Sequence, residues 1–207
     1  MYFRLYLIFY GLNRFKKRGN IIKKKKSFFI KSKINIKGKN NTVIFNDLCL
    51  FKNLIINITG NNNIVNIGKE VSGNNVDICI QDDNNELVIG DNTYFAGNIH
   101  FALTEGKKIN IDKDCLFSNS IVVRTGDSHS IVDMKSKKRV NLAKAVTIGN
   151  HVWITERVLI LKGTLIGNDS IVASNSVITK EWPQTNVVLG GGTTRILKNN
   201  INWSNER

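Results

Sequence analysis

Residues 146–180 read VTIGNHVWITERVLILKGTLIGNDSIVASNSVITK. An aliphatic side chain recurs at every sixth position: Ile148, Ile154, Ile160, Ile166, Val172 and Ile178. Four residues after each of the first five stand Val152, Val158, Thr164, Ser170 and Ser176, all small or β-branched. Neither a helical period of about 3.6 nor simple strand alternation generates this spacing. A six-residue unit is one short strand plus a turn, so three units close a triangular coil that stacks on the next. The aliphatic residues fill the stack, the small ones fit the crowded corners, and Gly149, Gly163 and Gly167 add turn chemistry.

Upstream the repeat is looser. Asn-rich turns (GKNN, GNNN, GNNV, DDNNE) each precede an aliphatic stretch such as Val43-Ile44-Phe45 or Leu87-Val88-Ile89. Asn and Gly tolerate left-handed backbone, so these turns read as corners of the same solenoid. Pro183 is the only proline, as a stack of hydrogen-bonded strands requires. Two segments interrupt the repeat, and interruptions of a scaffold are where function concentrates. One is an excursion over residues 124–145, RTGDSHSIVDMKSKKRVNLAKA; the other is the tail beyond Trp182. Ile196, Leu197 and Ile201 have helix-like spacing and predict a short C-terminal helical cap. The expected organisation is a basic and apolar segment over 1–30, a β-helix over 31–182 and a cap over 183–207.

The chain has 207 residues, 42% hydrophobic, enough for one sizeable core, and its composition excludes disordered, collagenous and disulfide-scaffold classes. Its net charge of +14 is concentrated: residues 1–46 hold 13 Lys or Arg and no acidic residue, leaving 17 basic against 16 acidic in the remainder. A neutral body with a basic arm, densest at Lys23–Lys26, points to local contact with a polyanion or an anionic membrane surface rather than to a nucleic-acid reader. The apolar start MYFRLYLIFYGL is broken by Arg4 and is far shorter than the roughly 20 residues of a spanning helix. It also lacks the order of a signal peptide, so the expectation is a cytoplasmic protein, peripheral at most to the inner membrane. Three scattered cysteines (Cys49, Cys79, Cys115) indicate neither a disulfide framework nor a metal site.

The strings TGDSHSIVD, RVN, IGNHVWI and ILKGTLIGNDSIVASNSVITK resemble the hexapeptide-repeat acyltransferases, and among them the bacterial capsule and polysialic acid O-acetyltransferases. The resemblance is specific over about 124–180. It implies an all-β, left-handed parallel β-helix, a homotrimer with clefts between neighbouring coils, acetyl-coenzyme A as co-substrate, no metal, and a glycan acceptor. The catalytic histidine of the family falls on His129 and its assisting tryptophan on Trp153. Thr155, Ser174, Thr179 and Lys180 fall along the coenzyme path, with Arg195 and Lys198 near its phosphates. Asn98 and Asp127 fall near the acceptor. Three departures stand out: Thr155 where the family has Gly, Ala173-Ser174-Asn175 for its GAN or GAG, and Gly191-Gly192-Thr193-Thr194-Arg195 for its GNPAK.

A sugar hydroxyl attacking a thioester must lose its proton as the bond forms, and a histidine titrating near neutrality suits that task. Asp127 and Asp133 are the nearby carboxylates that could fix the His129 tautomer. By position, the Thr155 amide is the candidate donor for the oxygen that gains charge. His100 and His151 read as mainly structural. Two alternatives stand beside glycan O-acetylation: acetyl transfer to a monomeric or nucleotide-linked sugar, and a non-catalytic β-helix binding module.

Overall fold

The computed structural model describes residues 14–15, 19–204 and 206. The chain winds as a parallel β-helix with three faces. The first carries Phe28–Ile30, Leu50–Lys52, Ser72–Asn74, the start of Tyr94–Leu103 and of Leu116–Arg124, then Trp153–Ile154, Ile171–Val172 and Val188–Gly190. The second carries Lys33–Lys37, Ile55–Thr59, Val76–Gln81, the ends of those two long strands, Leu159–Ile160 and Val177–Ile178. The third, a separate 8-stranded sheet, runs from Ile21–Lys24 to Glu181–Trp182.

All six hexad positions from Ile148 to Ile178 point inward and are buried, and Val152, Val158, Thr164, Ser170 and Ser176 are buried beside them. In this half the coil repeats every 18 residues, as Arg157 beneath Asn175 shows. Upstream it repeats every 22, as Asn41, Asn63 and Asn85 show. The extra residues lengthen the second and third faces: Ile56 and Ile58 both point inward where the later coil has Ile160 alone, and Val65 and Ile67 where it has Ile166. The core stacks aromatic clusters, Phe29–Phe45–Phe51 and Phe95–Phe101–Phe117, on either side of Gly73. A Cβ on Gly73 would lie 2.9 Å from Val76 Cγ2 and 3.1 Å from Phe95 Cβ, so bare backbone is what this layer accepts.

The corner between second and third faces holds a buried asparagine ladder. Asn41, Asn63 and Asn85 each donate through backbone N and Nδ2 to the Oδ1 of the asparagine one coil earlier, at 2.8–3.1 Å. The remaining Nδ2 hydrogen bonds a corner carbonyl (Gly60, Asp82 or Gln81), so each amide is satisfied. The backbone amide of Lys107 closes the series on Asn85 Oδ1.

Two expectations change. The coil begins before residue 31, because Ile21–Lys24 and Phe28–Ile30 already pair with Thr42–Phe45 and Leu50–Lys52. The tail is not helical: Arg195–Lys198 is a strand antiparallel to Val188–Gly190, reversed through Gly191, whose φ of 104° suits glycine. The apolar segment MYFRLYLIFYGL lies outside the described residues.

Candidate active site

The excursion leaves the corner of the asparagine ladder, after Leu116–Arg124 and before Val146–Ile148, where coil length changes. Its stem is pinned by charge. Arg139 donates to Glu105 Oε1 at 2.6 Å, and Glu105 Oε2 accepts the Ala143 amide at 3.1 Å. These bonds hold the Glu105 carboxyl below its usual range, the Ala143 amide contributing most. Asn141, buried, donates to the His129 carbonyl at 2.8 Å and to Asp127 Oδ2 at 2.8 Å, while its Oδ1 accepts the Ile131 amide. Lys162 from the following coil reaches Asp127 Oδ2 at 2.5 Å and the Asn141 carbonyl at 2.9 Å. The Lys162 hydrogen bond is the main reason the Asp127 carboxyl titrates below its ordinary value.

His129 therefore has a fixed backbone and an exposed ring. Neither carboxylate that could orient it does so. Asp127 is held by Lys162 and Asn141, and Asp133 Oδ1 accepts the Ser136 amide and hydroxyl at 2.7 Å each. Asp127 shapes the loop rather than the imidazole.

Trp153 lies on the first face, across the coil from the corner that emits the His129 loop. Its Nε1 donates to Ser118 Oγ at 3.2 Å. Beside it, at 6.0 Å between ring centroids, is Trp203 from the tail, which stacks on His151 at 4.3 Å and donates Nε1 to the His151 carbonyl. His151 Nδ1 sits 3.0 Å from Asp169 Oδ1. Sequence reasoning missed Trp203, which carries no repeat signal, and missed Asn141, Lys162 and Glu105, whose partners are distant in the chain.

Thr155 is a correction: its amide donates to the Val172 carbonyl at 3.1 Å in the coil ladder, so it is not an available oxyanion donor. Its hydroxyl bonds the same carbonyl at 2.6 Å and accepts from Ser174 Oγ at 3.1 Å. Thr155 and Ser174 share the corner between first and second faces. Thr179 and Lys180 lie at the other end of the second face, where with Gly192, Thr193 and Thr194 they line an open groove of about 300 Å³. Lys180 Nζ also lies over the Trp182 ring at 4.7 Å, and Arg195 and Lys198 come next in the chain, on the strand Arg195–Lys198 that follows Thr194. Asn98 has a left-handed backbone, φ 54°, and its Oδ1 accepts from Asn75 Nδ2 at 3.4 Å, so it is first a corner residue of an outer Asn53–Asn75–Asn98 ladder. It also borders a shallow groove with Asp77 and His100. Among the described residues no group of three or more His, Cys, Asp or Glu is disposed to hold a metal.

No family model matches the chain. A polysialic acid O-acetyltransferase of Escherichia coli O1:K1 / APEC is 35% identical over 119 residues, which span 58% of this chain and 38% of that protein's length. The crystal structure of the polySia-specific acetyltransferase NeuO superposes with a TM-score of 0.85 at 28% identity, covering 95% of this chain and 83% of NeuO. The polysialic acid O-acetyltransferase OatWY gives 0.88 at 28% identity, covering 95% and 93%. The chain is thus similar in sequence over more than half its length, and in architecture over nearly all of it, to polysialic acid O-acetyltransferases.

Proposed function

We propose that this protein is an acetyl-coenzyme A-dependent O-acetyltransferase acting on a hydroxyl of a bacterial surface glycan, of the sialic-acid-containing capsular kind. The observation that carries the reading is His129: an exposed imidazole on a loop whose backbone is locked by Asn141, in a chain built like polysialic acid O-acetyltransferases. Acetyl-coenzyme A would supply the activated acetyl group as a thioester. His129 takes the proton of the acceptor hydroxyl as that oxygen bonds to the thioester carbonyl carbon, and passes it to sulfur as the C–S bond breaks. The developing oxyanion needs a donor other than the Thr155 amide. Lys180, Arg195 and Lys198 form no ion pair among the described residues and would hold the coenzyme's phosphates, with Thr179 lining the same groove. Ser174, on the far corner, would meet the pantetheine arm, and Asn98 and Asp127 border grooves open to the acceptor.

A homotrimer fits this chemistry. His129 and Trp153 lie on opposite sides of one coil, and the loop exposes Ile131, Met134, Val140 and Leu142 at 59–78%. A neighbouring copy would cover that apolar surface and bring its own Trp153 to the loop's His129. A cytoplasmic location accords with three free cysteines and with the exposed Lys23–Lys26 patch on the first coil, which suits a polyanion or an anionic membrane face.

The test is thiol release from acetyl-coenzyme A with sialylated and neutral glycans, for wild type, His129→Ala and Trp153→Ala. Release that depends on a sialylated acceptor and vanishes in His129→Ala supports the reading. Folded protein without glycan-dependent release overturns it. Refolding the two variants together should restore about a quarter of the sites if each site draws on two copies, and none if it does not.

A further inference from the structure

Outward residues on the second face make a small map around the loop's root. Register places Asp77 beside His100, Cys79 beside Ala102, and Ala102 beside Arg124. Ala102 is the smallest of these, and its short side chain leaves a hollow flanked by the long Arg124 and His100. The hollow holds about 180 Å³, on the order of six waters. Gln81, Thr104, Asp127 and Ser128 complete its rim, so its far wall is the segment that leads to His129.

The charges around the hollow are unevenly matched. His100 Nδ1 is 2.7 Å from Asp77 Oδ2; Asp82 Oδ2 accepts the Thr104 hydroxyl at 2.6 Å; Asp127 is taken by Lys162. Arg124 alone has no counterion within ion-pair distance among the described residues, and its Nε is buried without a hydrogen-bond partner. A buried guanidinium N–H left unsatisfied is costly, and the group that answers a planar fork of N–H donors is a carboxylate.

We propose that Arg124, with His100 alongside, is the carboxylate-binding subsite for the acidic sugar residue of the acceptor. The inference rests on the proposed acetyl transfer and deepens it. Arg124 reads the carboxylate of a sialic-acid-type unit, His100 and Gln81 offer polar contacts to the same sugar, and binding there sets the acceptor against the root of the His129 loop. Arg124 acts on acceptor choice and not on proton transfer.

The measurement compares wild type, Arg124→Met and Arg124→Lys in the full chain, using oligosialic acid and its carboxyl methyl ester as acceptors. Arg124→Met should raise KM for the acid about 10- to 100-fold and abolish the preference for acid over ester, with kcat and the KM for acetyl-coenzyme A little changed. Arg124→Lys keeps the charge without the fork and should fall between. Unchanged KM and unchanged preference in folded Arg124→Met overturn the subsite while leaving the transferase reading intact. A second readout needs no chemistry: oligosialic acid should slow alkylation of Cys79, on the hollow's wall, in wild type and not in Arg124→Met. If wild type transfers no acetyl group yet shows that protection, the transferase reading fails and the subsite stands; no protection in wild type overturns the subsite.

Discussion

The two halves of this solenoid solve one packing problem with different coils. Upstream, 22-residue coils carry two inward aliphatics per strand on two faces, turn on left-handed asparagines, and bury a column of primary amides. Downstream, 18-residue coils carry one inward aliphatic per face and fill their corners with Val, Thr and Ser. The stack needs only that each inward residue meet its counterpart above and below, so circumference is free to change between coils. Its largest change, from 22 residues to 18, falls where the His129 excursion leaves the coil.

The largest expected effect is at that boundary. His129→Ala should lower acetyl transfer by about 10²- to 10⁴-fold with circular dichroism unchanged, because the ring makes no bond to the coil. Next come the two halves themselves. Asn63→Ala removes the acceptor for two donors of Asn85 and the Nδ2 group that donates to Asn41 and to the Asp82 carbonyl, and should destabilise the protein by at least about 2–3 kcal/mol in denaturant melts. Ser170→Ala at a downstream corner removes one local bond, to the Asn168 carbonyl, and should cost about 1 kcal/mol or less. Equal losses would erase the distinction drawn between the halves. Gly73→Ala, between the phenylalanine clusters, should cost about 1–3 kcal/mol by overpacking, measurable as a lowered Tm.

A smaller effect concerns pH. Glu105 and Asp127 titrate below their ordinary values, so their tethering of the loop is complete above about pH 4.5 and is lost as the pH falls through their lowered folded-state values. Protease cutting within residues 124–145 should therefore rise in acid before the coils unfold. The smallest effect is chemical. Burial raises all three thiols, that of Cys115 to about 12, but Cys79 is only half-buried where Cys49 and Cys115 are buried, so native protein should alkylate first at Cys79.

The short coils were legible because six residues per face is the repeat itself. The long coils were legible only at their asparagine turns, since two extra residues on two faces blur a hexad count without altering the stack. The loop and its histidine stood out as an interruption. What holds the loop did not: Glu105 to Arg139 and Asp127 to Lys162 join residues more than 30 apart with no local pattern. The helical cap failed because a spacing shared by Ile196, Leu197 and Ile201 says nothing of an exposed sheet edge, and the Val188–Gly190 edge captured Arg195–Lys198 as a strand. The Thr155 amide failed as a donor because sequence cannot show which backbone groups the ladder has already taken.

The asparagine column also sets an order of dismantling. Each amide leans on the coil before it and supports the coil after it, so no interior coil can loosen without stranding groups on both sides, whereas the first coil can peel away and strand only the two donors of Asn41. Opening should therefore travel as a zipper from the first coil, where positive charge is densest, toward Lys107. Amide exchange rates would then form a gradient along the axis, with the slowest protons under the roots of the loop, where the fold must keep time for its chemistry.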